Sequence, residues 1–341
     1  MPDKSEIVLV TGGSGYIGGW MVAELLRRGH PVRSTLRDLS RSDEIERAVR
    51  SGESVSPGLA FCRADLDGDA GWNEAMEDVD VVVHVATPMG TSGSEDPEEL
   101  IRPAVDGAAR IMRAATAAGV RRVVMTSAAN ASSPSSYAED SVTDETLWTD
   151  PEDPTIIPYR KAKTLAELTA WNLADEPGAP ELTTILPGAV FGPILSPTAI
   201  GSVGIIARML RGEIPLVPNI GLEVVDVRDL VDLHLRAIEA PGAAGQRFLG
   251  TGEFTWMREL AETLRSDLGE RASQVSTEPL DDDIVRALAD QDATMRSIAP
   301  ALGRRNRHST ARAREMLGWA TRPATQTILD SAQSLIDHDA V

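Results

Sequence analysis

Short runs of β-branched residues alternate with helical patterns between residues 6 and 250 of this 341-residue chain. An apolar run bounded by turn signals predicts a buried strand, and apolar residues recurring every three or four positions predict a helix. Strands that alternate with helices favour right-handed βαβ units around a parallel sheet. The sequence therefore predicts an α/β fold with a Rossmann-type, doubly wound parallel sheet.

The pattern locates six buried strands and two long helices in this region. The predicted strands are residues 6–12, 31–37, 59–66, 79–87, 120–127 and 181–192. The predicted helices are residues 16–29 and 97–119. Residues 223–250 predict one further strand–helix–strand return to the same sheet.

The alternation weakens after Gly192, and the rest of the chain has a mostly helical pattern. A chain of this length can form one large α/β unit or two modest domains. We predict a sheet domain made of residues 1–190 and 222–250. A smaller, mostly helical substrate domain would then comprise residues 191–221 and 251–341.

Composition and charge exclude several classes of protein. The net charge of -19 and the isoelectric point near 4.7 argue against a nucleic-acid or anionic-membrane partner. The single cysteine, Cys62, excludes an internal disulfide and fits a reducing compartment. The N-terminus has no long apolar run, and the stretch VDVVVHVATPM is too short to span a bilayer. We expect a soluble, cytoplasmic protein.

A glycine loop joins the first predicted strand to the first predicted helix. Gly12, Gly15 and Gly18 have the spacing of a dinucleotide-binding loop. The first permits a tight turn, the second lets a pyrophosphate approach the backbone, and the third lets helix and strand pack closely. The helix N-terminus, from Tyr16 and Ile17, adds free N–H groups and a partial positive charge for phosphate. The alternative is a glycine-rich turn without a ligand.

The end of the second predicted strand bears on the choice of dinucleotide. An arginine at this point pairs with a 2′-phosphate, whereas an acidic residue hydrogen-bonds a 2′-hydroxyl. The sequence offers both as neighbours, Arg37 and Asp38, with Arg33 and Arg41 close by. We favour NADP(H) with Arg37 as the phosphate ligand, while NAD(H) and a merely solvated Arg37 stay open.

Further candidate cofactor contacts follow the third and fourth predicted strands. Asp65 and Leu66 come after the third strand, where an adenine ring would lie, and Ala86 and Thr87 come after the fourth. The carboxyl ends of successive parallel strands share one edge of the sheet, where such folds bind ligands. An aspartate after a strand can equally be a helix cap.

The stretch PYRKAKTLAEL carries a lysine on the face of a helix that is otherwise suited to burial. Tyr159 and Lys163 are four residues apart, so they point the same way, toward the expected nicotinamide position. A free tyrosine has a pKa of about 10, and a nearby ammonium lowers it toward the range useful to a general acid. Lys163 could also bind ribose hydroxyls. We expect Arg160 and Lys161 to be solvated. The alternative is an amphipathic helix whose lysine reaches solvent.

Several motifs together resemble the extended short-chain dehydrogenase/reductases, most of all the dihydroflavonol-4-reductase and aldehyde/ketone reductase branch. They are VTGGSGYIGGWMVAELL, HVATPM, VVMTSAA, YRKAKTLAE, LPGAVFGP and VDVRDLVDLHLRAIE. The resemblance implies a Rossmann domain that binds NADP and a small C-terminal substrate domain. It also implies that Tyr159 and Lys163 are catalytic, that Arg37 binds the phosphate, and that Pro187 and Val190 lie beside the cofactor.

One position departs from the pattern of that family. The catalytic serine of the family falls on Ala128, which has no hydroxyl. Ser127 is the nearest hydroxyl and our candidate for the missing catalytic group. On an extended strand it would point to the opposite face, so a purely structural Ser127 stays open. Asn130 and Ser132 are other candidates.

These features predict an NADPH-dependent reductase of small or medium ketones, aldehydes or flavanone-like hydroxyketones. A nucleotide-sugar epimerase or dehydratase with bound NAD is the alternative, and it would need a basic cradle to which Arg208 and Arg211 could contribute. A non-catalytic NADP(H)-sensing protein is a second alternative. No motif indicates a metal site. His84 lies inside a strand and is expected to be structural. A homodimer is possible by analogy.

Overall fold

The computed structural model describes residues 6–50, 58–87, 96–134 and 140–341. Its strands are β1 (Val8–Thr11), β2 (Val32–Leu36), β3 (Leu59–Arg63), β4 (Val81–His84), β5 (Arg122–Thr126), β6 (Ser141–Thr143), β7 (Glu181–Pro187), β8 (Ala189–Phe191), β9 (Gly221–Asp226), β10 (Gln246–Gly250), β11 (Glu253–Trp256) and β12 (Asn306–His308). Its α-helices are α1 (Tyr16–Arg27), α2 (Ser42–Arg50), α3 (Trp72–Met76), α4 (Glu98–Ala118), α5 (Pro158–Ala174), α6 (Gly204–Leu210), α7 (Val227–Glu239), α8 (Met257–Leu268), α9 (Asp282–Leu288), α10 (Ala293–Ile298), α11 (Ala311–Leu317) and α12 (Ala324–Asp337).

Seven parallel strands form the central sheet, in the order β10-β7-β5-β4-β1-β2-β3. The reversal of strand order beside β1 is the doubly wound arrangement that the alternating pattern predicts. Strand β4 is buried at every position, because helices cover both faces of the sheet. Val81 and Val83 pack into a core with α1 and α7, and Val82 packs into a second core with α3, α4 and α5. The predicted fold class is confirmed.

The chain between β7 and β8 departs from the prediction of one strand over residues 181–192. It divides at Gly188, and β8 leaves the central sheet to pair with β9 in a three-stranded sheet completed by β11. A Cβ atom added at Gly188 would lie 2.4 Å from the backbone oxygen of Glu223, so only glycine permits this close approach. The prediction that residues 223–250 return twice to the same sheet is wrong for β9 and right for β10.

The C-terminal region is mostly helical, as predicted, and two short strands, β11 and β12, pair it with the rest of the fold. Strand β12 pairs in parallel with β6, which lies in the segment after β5. Helix α12 packs against α6 and α8. The exact division into two domains stays a prediction. Across the described ranges, no helix has both the length and the apolar character needed to cross a bilayer.

Candidate active site

A cavity of about 1020 Å³ lies along the carboxyl edge of the central sheet. Its walls are formed by the loops after several parallel strands and by segments from the C-terminal region. Except for the alternative candidate Ser132, the residues predicted to contact cofactor or substrate contribute to it: Gly12, Gly15, Tyr16, Ile17, Gly18, Arg37, Asp65, Leu66, Ala86, Thr87, Ser127, Asn130, Tyr159, Lys163, Pro187 and Val190. The structure therefore brings together residues that lie up to 178 positions apart in sequence.

The glycine loop has the backbone geometry that its sequence predicts. Gly12 has a φ of +75°, which favours glycine, and the N–H of Gly15 donates to the Gly12 oxygen at 2.9 Å. A Cβ atom at Gly18 would lie 2.1 Å from that same oxygen, so glycine is needed for α1 to pack against the loop. The loop thus presents the N-terminus of α1 to the cavity at close range.

The N-terminus of α1 suits an anion. Gly15 makes no side-chain cap, and the first turn carries no acidic residue, so the helix N–H groups have no competing carboxylate. Burial, with a smaller contribution from the Asp226 carboxylate, raises the pKa of the Tyr16 phenol well above its ordinary value. The Tyr16 side chain is therefore a neutral wall and adds no negative charge. This end of the cavity fits a dinucleotide pyrophosphate.

The end of β2 presents an arginine, and not an acid, to the cavity. Arg37 is exposed and contributes to the cavity wall. The Asp38 carboxylate instead accepts from the N–H of Ser40 at 2.9 Å and caps a short 3₁₀ turn. The other two arginines have different partners: Arg33 donates to carbonyls at the end of α3, and Arg41 pairs with Glu44 at 3.1 Å. Of these three arginines, Arg37 is the one available to bind a ligand phosphate in the cavity.

Lys163 is buried at the carboxyl ends of β4 and β5. Its Nζ donates to Thr87 Oγ1 at 3.1 Å and to the Thr126 oxygen at 3.0 Å. Burial lowers the pKa of this lysine to about 8, while the Glu167 carboxylate one helical turn further on acts in the opposite direction. The predicted inward position of the lysine is confirmed. At neutral pH the group is mostly an ammonium, held at fixed geometry inside the cavity wall.

Tyr159 is half-buried on the first turn of α5, because Pro158 begins the helix. Its side chain shares the cavity with Lys163, as the i, i+4 spacing predicts. The expected lowering of its pKa is not found: burial raises the pKa of the Tyr159 phenol above its ordinary value. The Lys163 ammonium is directed to Thr87 and Thr126. The phenol is therefore a protonated donor in this structure.

Ser127 does not occupy the position expected of a catalytic hydroxyl. Its Oγ donates to the Glu167 carboxylate at 2.6 Å, and the residue is 2% exposed. Ser127 and Ala128 both contribute to the cavity wall, but successive residues of an extended strand face opposite ways, and the Ser127 hydroxyl is directed to Glu167. The Ser127 hydroxyl is therefore not directed to the substrate, and Ser127 belongs to a buried polar cluster.

That cluster is centred on the ion pair of Glu167 with Arg247. Glu167 Oε1 accepts from Arg247 Nε at 2.8 Å and from Thr184 Oγ1 at 2.7 Å. Arg247 Nη1 also donates to the oxygens of Glu145 and Leu147. The pair thereby joins α5 and β10 to the segment that follows β6. It holds the helix that carries Tyr159 and Lys163.

Replacing Glu167 with glutamine tests the structural importance of this pair. We expect the free energy of unfolding to fall by about 3 kcal/mol, because a buried guanidinium loses its counter-charge. Urea denaturation measures the change. Ser127→Ala is the matched control and should cost about 1 kcal/mol, since it removes one neutral donor. Equal losses in the two variants would show that the ion pair does not stabilise the fold.

Arg160 is buried, so the prediction that it is solvated is wrong. It is 4% exposed, and its Nη2 donates to the oxygens of Ser133 and Pro134 at 3.0 and 2.8 Å. The available signal was spacing, since Arg160, Thr164 and Glu167 recur at helical intervals and are all buried. Arg160 thus fixes the loop after β5 against the helix that carries Tyr159.

The other end of the cavity is largely apolar. Its walls come from the segment before α5, from β9 and the residue before it, from β11, and from the end of α10 and the turn after it. They include Ile156, Ile157, Ile220, Leu222, Phe254, Ile298 and Pro300. A few polar groups face this space, among them Asn130, Ser133, Glu223, Arg304 and His308. The arrangement suits a substrate with an apolar body and few polar groups.

His84, at the end of β4, does not indicate metal or acid–base chemistry. His84 is 4% exposed, accepts or donates at Thr11 Oγ1 over 2.8 Å, and has its pKa lowered to about 3 by burial and by Lys163. It is structural, as expected. Within the described ranges, no group of three His, Cys, Asp or Glu side chains could hold a metal ion.

Sheet order, glycine loop and Tyr–Lys helix together define a dinucleotide-binding protein of the short-chain dehydrogenase type. The sequence model of the NAD dependent epimerase/dehydratase family matches residues 8–249, and the chain belongs to this family.

Named relatives refine this class. The chain is 38% identical over 265 residues to cinnamoyl-CoA reductase 1 of Oryza sativa subsp. japonica, covering 77% of this chain and 76% of that protein. It is 31% identical over 297 residues to the bifunctional dihydroflavonol 4-reductase/flavanone 4-reductase of Malus domestica, covering 83% and 82%. Among solved structures, Gre2 from Candida albicans in complex with NADPH has a TM-score of 0.79 at 22% identity, covering 98% of this chain and 99% of that one.

Proposed function

We propose that this protein is an NADPH-dependent carbonyl reductase in which Tyr159 and Lys163 form the acid–base pair. One observation carries the proposal: a single cavity contains the glycine loop, Arg37, both members of that pair and an apolar substrate end. The two relatives described above are named as reductases, which supports the direction of the chemistry. We further propose a cytoplasmic location, consistent with the single buried cysteine, Cys62.

The glycine loop and Arg37 would bind the cofactor. The N–H groups at the start of α1 would hold the pyrophosphate, and Arg37 would pair with a 2′-phosphate. Asp65 and Leu66 would flank the adenine end, and Thr87 and Lys163 the ribose of the other end. When bound, NADPH supplies the hydride that reduces a carbonyl carbon.

Proton delivery is the task of Tyr159. Because burial keeps the phenol protonated, it can donate to the carbonyl oxygen as negative charge develops there. The Lys163 ammonium adds a fixed positive charge beside this donor and stabilises the phenolate that remains after transfer. Its hydrogen bonds to Thr87 and Thr126 keep that charge in place without reorganisation.

The substrate end favours ketones, aldehydes and hydroxyketones with an apolar or aromatic body. Phe254, Ile298 and their apolar neighbours can exclude water from the reacting group. The names of the relatives, which refer to cinnamoyl and flavonoid compounds, support an aromatic carbonyl substrate.

The two alternatives receive less support. A nucleotide-sugar epimerase would need cations at the substrate end, but Arg208 and Arg211 do not contribute to the cavity and both lie within 4 Å of Glu213. A cofactor-sensing protein would not need an ammonium and a phenol in the same wall. Oxidation of NADPH against a panel of aromatic and aliphatic carbonyl compounds tests the proposal. Turnover that Tyr159→Phe removes supports it, and the absence of any wild-type turnover favours the sensor.

Arg37→Ala tests the choice of cofactor. We expect NADPH affinity to fall about 30-fold, since a charge-assisted contact to phosphate is worth about 2 kcal/mol, with NADH affinity within twofold of wild type. Fluorescence titration of both cofactors measures this. Arg33→Ala is the control, because Arg33 binds backbone carbonyls of α3 outside the cavity. Equal losses for NADPH and NADH would contradict the role of Arg37.

A further inference from the structure

Ala128 leaves the cavity without the hydroxyl expected beside Tyr159. The residue is 4% exposed, has an extended backbone and contributes to the cavity wall. A carbonyl oxygen that gains negative charge during reduction is best stabilised by more than one preorganised donor. A second donor must therefore come from another residue, if the proposed reduction takes place here.

The neighbouring hydroxyls are directed elsewhere. Thr126 Oγ1 bonds to His234 Nε2 at 2.8 Å, inside the core. Ser127 Oγ donates to Glu167, and Ser132 Oγ donates to the oxygens of Asp144 and Leu147. Each of these three hydroxyls is hydrogen-bonded to a group that does not contribute to the cavity wall.

Ser133 differs from these hydroxyls because both of its hydrogen-bond partners also contribute to the cavity wall, where it belongs to a chain of polar groups. Its Oγ lies 2.8 Å from His308 Nε2, and 2.9 Å from the Ala129 oxygen. His308 Nδ1 is hydrogen-bonded to Glu223 Oε2, and the backbone N–H of His308 donates to Glu223 Oε1 at 2.7 Å. A hydroxyl, an imidazole and a carboxylate thus follow one another along the wall of the substrate end.

This chain is built from three distant parts of the fold. Ser133 follows β5, Glu223 lies in β9, and His308 ends β12, which is 175 residues beyond Ser133. The backbone of Ser133 is also fixed, since its N–H donates to Thr149 Oγ1 at 3.1 Å and its oxygen accepts from Arg160 Nη2 at 3.0 Å. Arg160 adjoins Tyr159 in sequence, so the loop of Ser133 is tied directly to the helix of the proposed acid.

We propose that Ser133 supplies the second donor to the substrate carbonyl and replaces the serine that Ala128 lacks, with His308 and Glu223 as positioning residues. This inference rests on the proposed reductase function. With protons on both ring nitrogens, His308 donates from Nδ1 to the Glu223 carboxylate and from Nε2 to Ser133 Oγ. The hydroxyl proton can then move from the Ala129 oxygen to the substrate oxygen. Glu223 fixes the orientation of the imidazole.

The proton balance of this role is simple. The carbonyl carbon receives a hydride, the carbonyl oxygen receives one proton from Tyr159, and the C=O double bond becomes a C–OH single bond. Ser133 donates a hydrogen bond throughout and keeps its proton. It acts as a catalytic residue only by contact with the oxygen, so its effect should appear in kcat more than in cofactor affinity.

Asn130 is the competing donor, because its side chain also borders the cavity and is half-buried. The structure favours Ser133, whose hydroxyl is held by His308 and Glu223 and so needs little reorganisation to act. Asn130→Ala is therefore a necessary arm of the test.

The decisive experiment combines Ser133→Ala with Ala128→Ser. We expect Ser133→Ala to lower kcat about a hundredfold, the effect of removing one such donor, with NADPH affinity close to wild type and a loss of stability no larger than that of Ser127→Ala. Adding Ala128→Ser in the same chain restores the missing hydroxyl at the position where the family has it, and should recover at least tenfold of the loss. In the wild-type background, Ala128→Ser alone should change kcat less than threefold. His308→Phe should lower kcat with Ser133 still present.

The outcomes separate this inference from the reductase proposal. Wild-type turnover that Tyr159→Phe removes, combined with a Ser133→Ala variant within twofold of wild type, overturns the role of Ser133 alone. A large loss in Asn130→Ala with none in Ser133→Ala also overturns it, in favour of Asn130. Ala128→Ser is added both to Ser133→Ala and to the wild type. If it raises kcat by the same factor in both, the loss of kcat in Ser133→Ala was structural. Absence of turnover in the wild type contradicts the proposed function, and this inference with it.

Discussion

Replacing Tyr159 with phenylalanine is expected to lower kcat by about a thousandfold, the scale of a general acid contribution. The substitution removes one oxygen and leaves the ring that packs at the start of α5. The proposed binding groups for the cofactor, Arg37 and the glycine loop, are unaffected. We therefore expect the dissociation constant of NADPH to change less than twofold. Steady-state oxidation of NADPH, with fluorescence titration of the same protein, measures both quantities.

A matched control for this variant is Tyr16→Phe. Tyr16 also borders the cavity, and burial raises the pKa of its phenol, but it lies at the N-terminus of α1. Loss of its hydroxyl should leave kcat within a few-fold of wild type. Comparable losses at Tyr16 and Tyr159 would mean that neither phenol acts as the specific acid.

Replacing Lys163 with methionine should lower kcat about a hundredfold and weaken NADPH binding about tenfold. The variant keeps the length of the side chain but removes the ammonium that donates to Thr87 and Thr126. It also removes the positive charge that would stabilise a phenolate on Tyr159. Measurement of kcat and of NADPH affinity should show both effects in Lys163→Met, whereas Tyr159→Phe should show only the first.

The stability of Lys163→Met gives an independent check. Burial lowers the pKa of Lys163 to about 8, so holding the ammonium in the fold at neutral pH costs free energy. The cost is fully present below about pH 8 and is relieved as pH rises toward about 10.4, where the unfolded lysine also loses its proton. Wild-type stability should therefore rise relative to the variant between these values. A difference that is constant with pH would contradict the buried ammonium.

Much of the fold can be predicted from hydrophobic periodicity and glycine positions, because both depend on backbone conformation within a few residues. Alternating strands and helices predict the parallel sheet, and Gly12 and Gly18 occupy positions where a side chain would strain or block the backbone. Lys163 was recognisable as unusual, since a lysine on an apolar helical stripe needs a reason to be there. The separation of β8 and β9 into a second sheet was not predictable, because the strand pattern continues through Gly188.

The errors at the site have a common cause in long-range partners. Ser127 has a hydroxyl at a plausible position, but its direction depends on Glu167, forty residues later. The helical pattern around Arg160 is typical of a surface charge, and only its distant carbonyl partners explain its burial. The same applies to His308, whose hydrogen-bond partner Ser133 lies 175 residues earlier in the sequence. No local pattern indicates such contacts.

Transfer of deuterium from NADPH labelled at the reactive carbon tests the central claim most directly. Wild-type protein is incubated with the labelled cofactor and with carbonyl compounds that support turnover, and the alcohol products are analysed by mass spectrometry. We predict one deuterium at the carbinol carbon of the product from wild-type protein, and none from Tyr159→Phe over the same time. Tight NADPH binding by a wild-type protein that transfers no deuterium to any carbonyl compound would contradict the account.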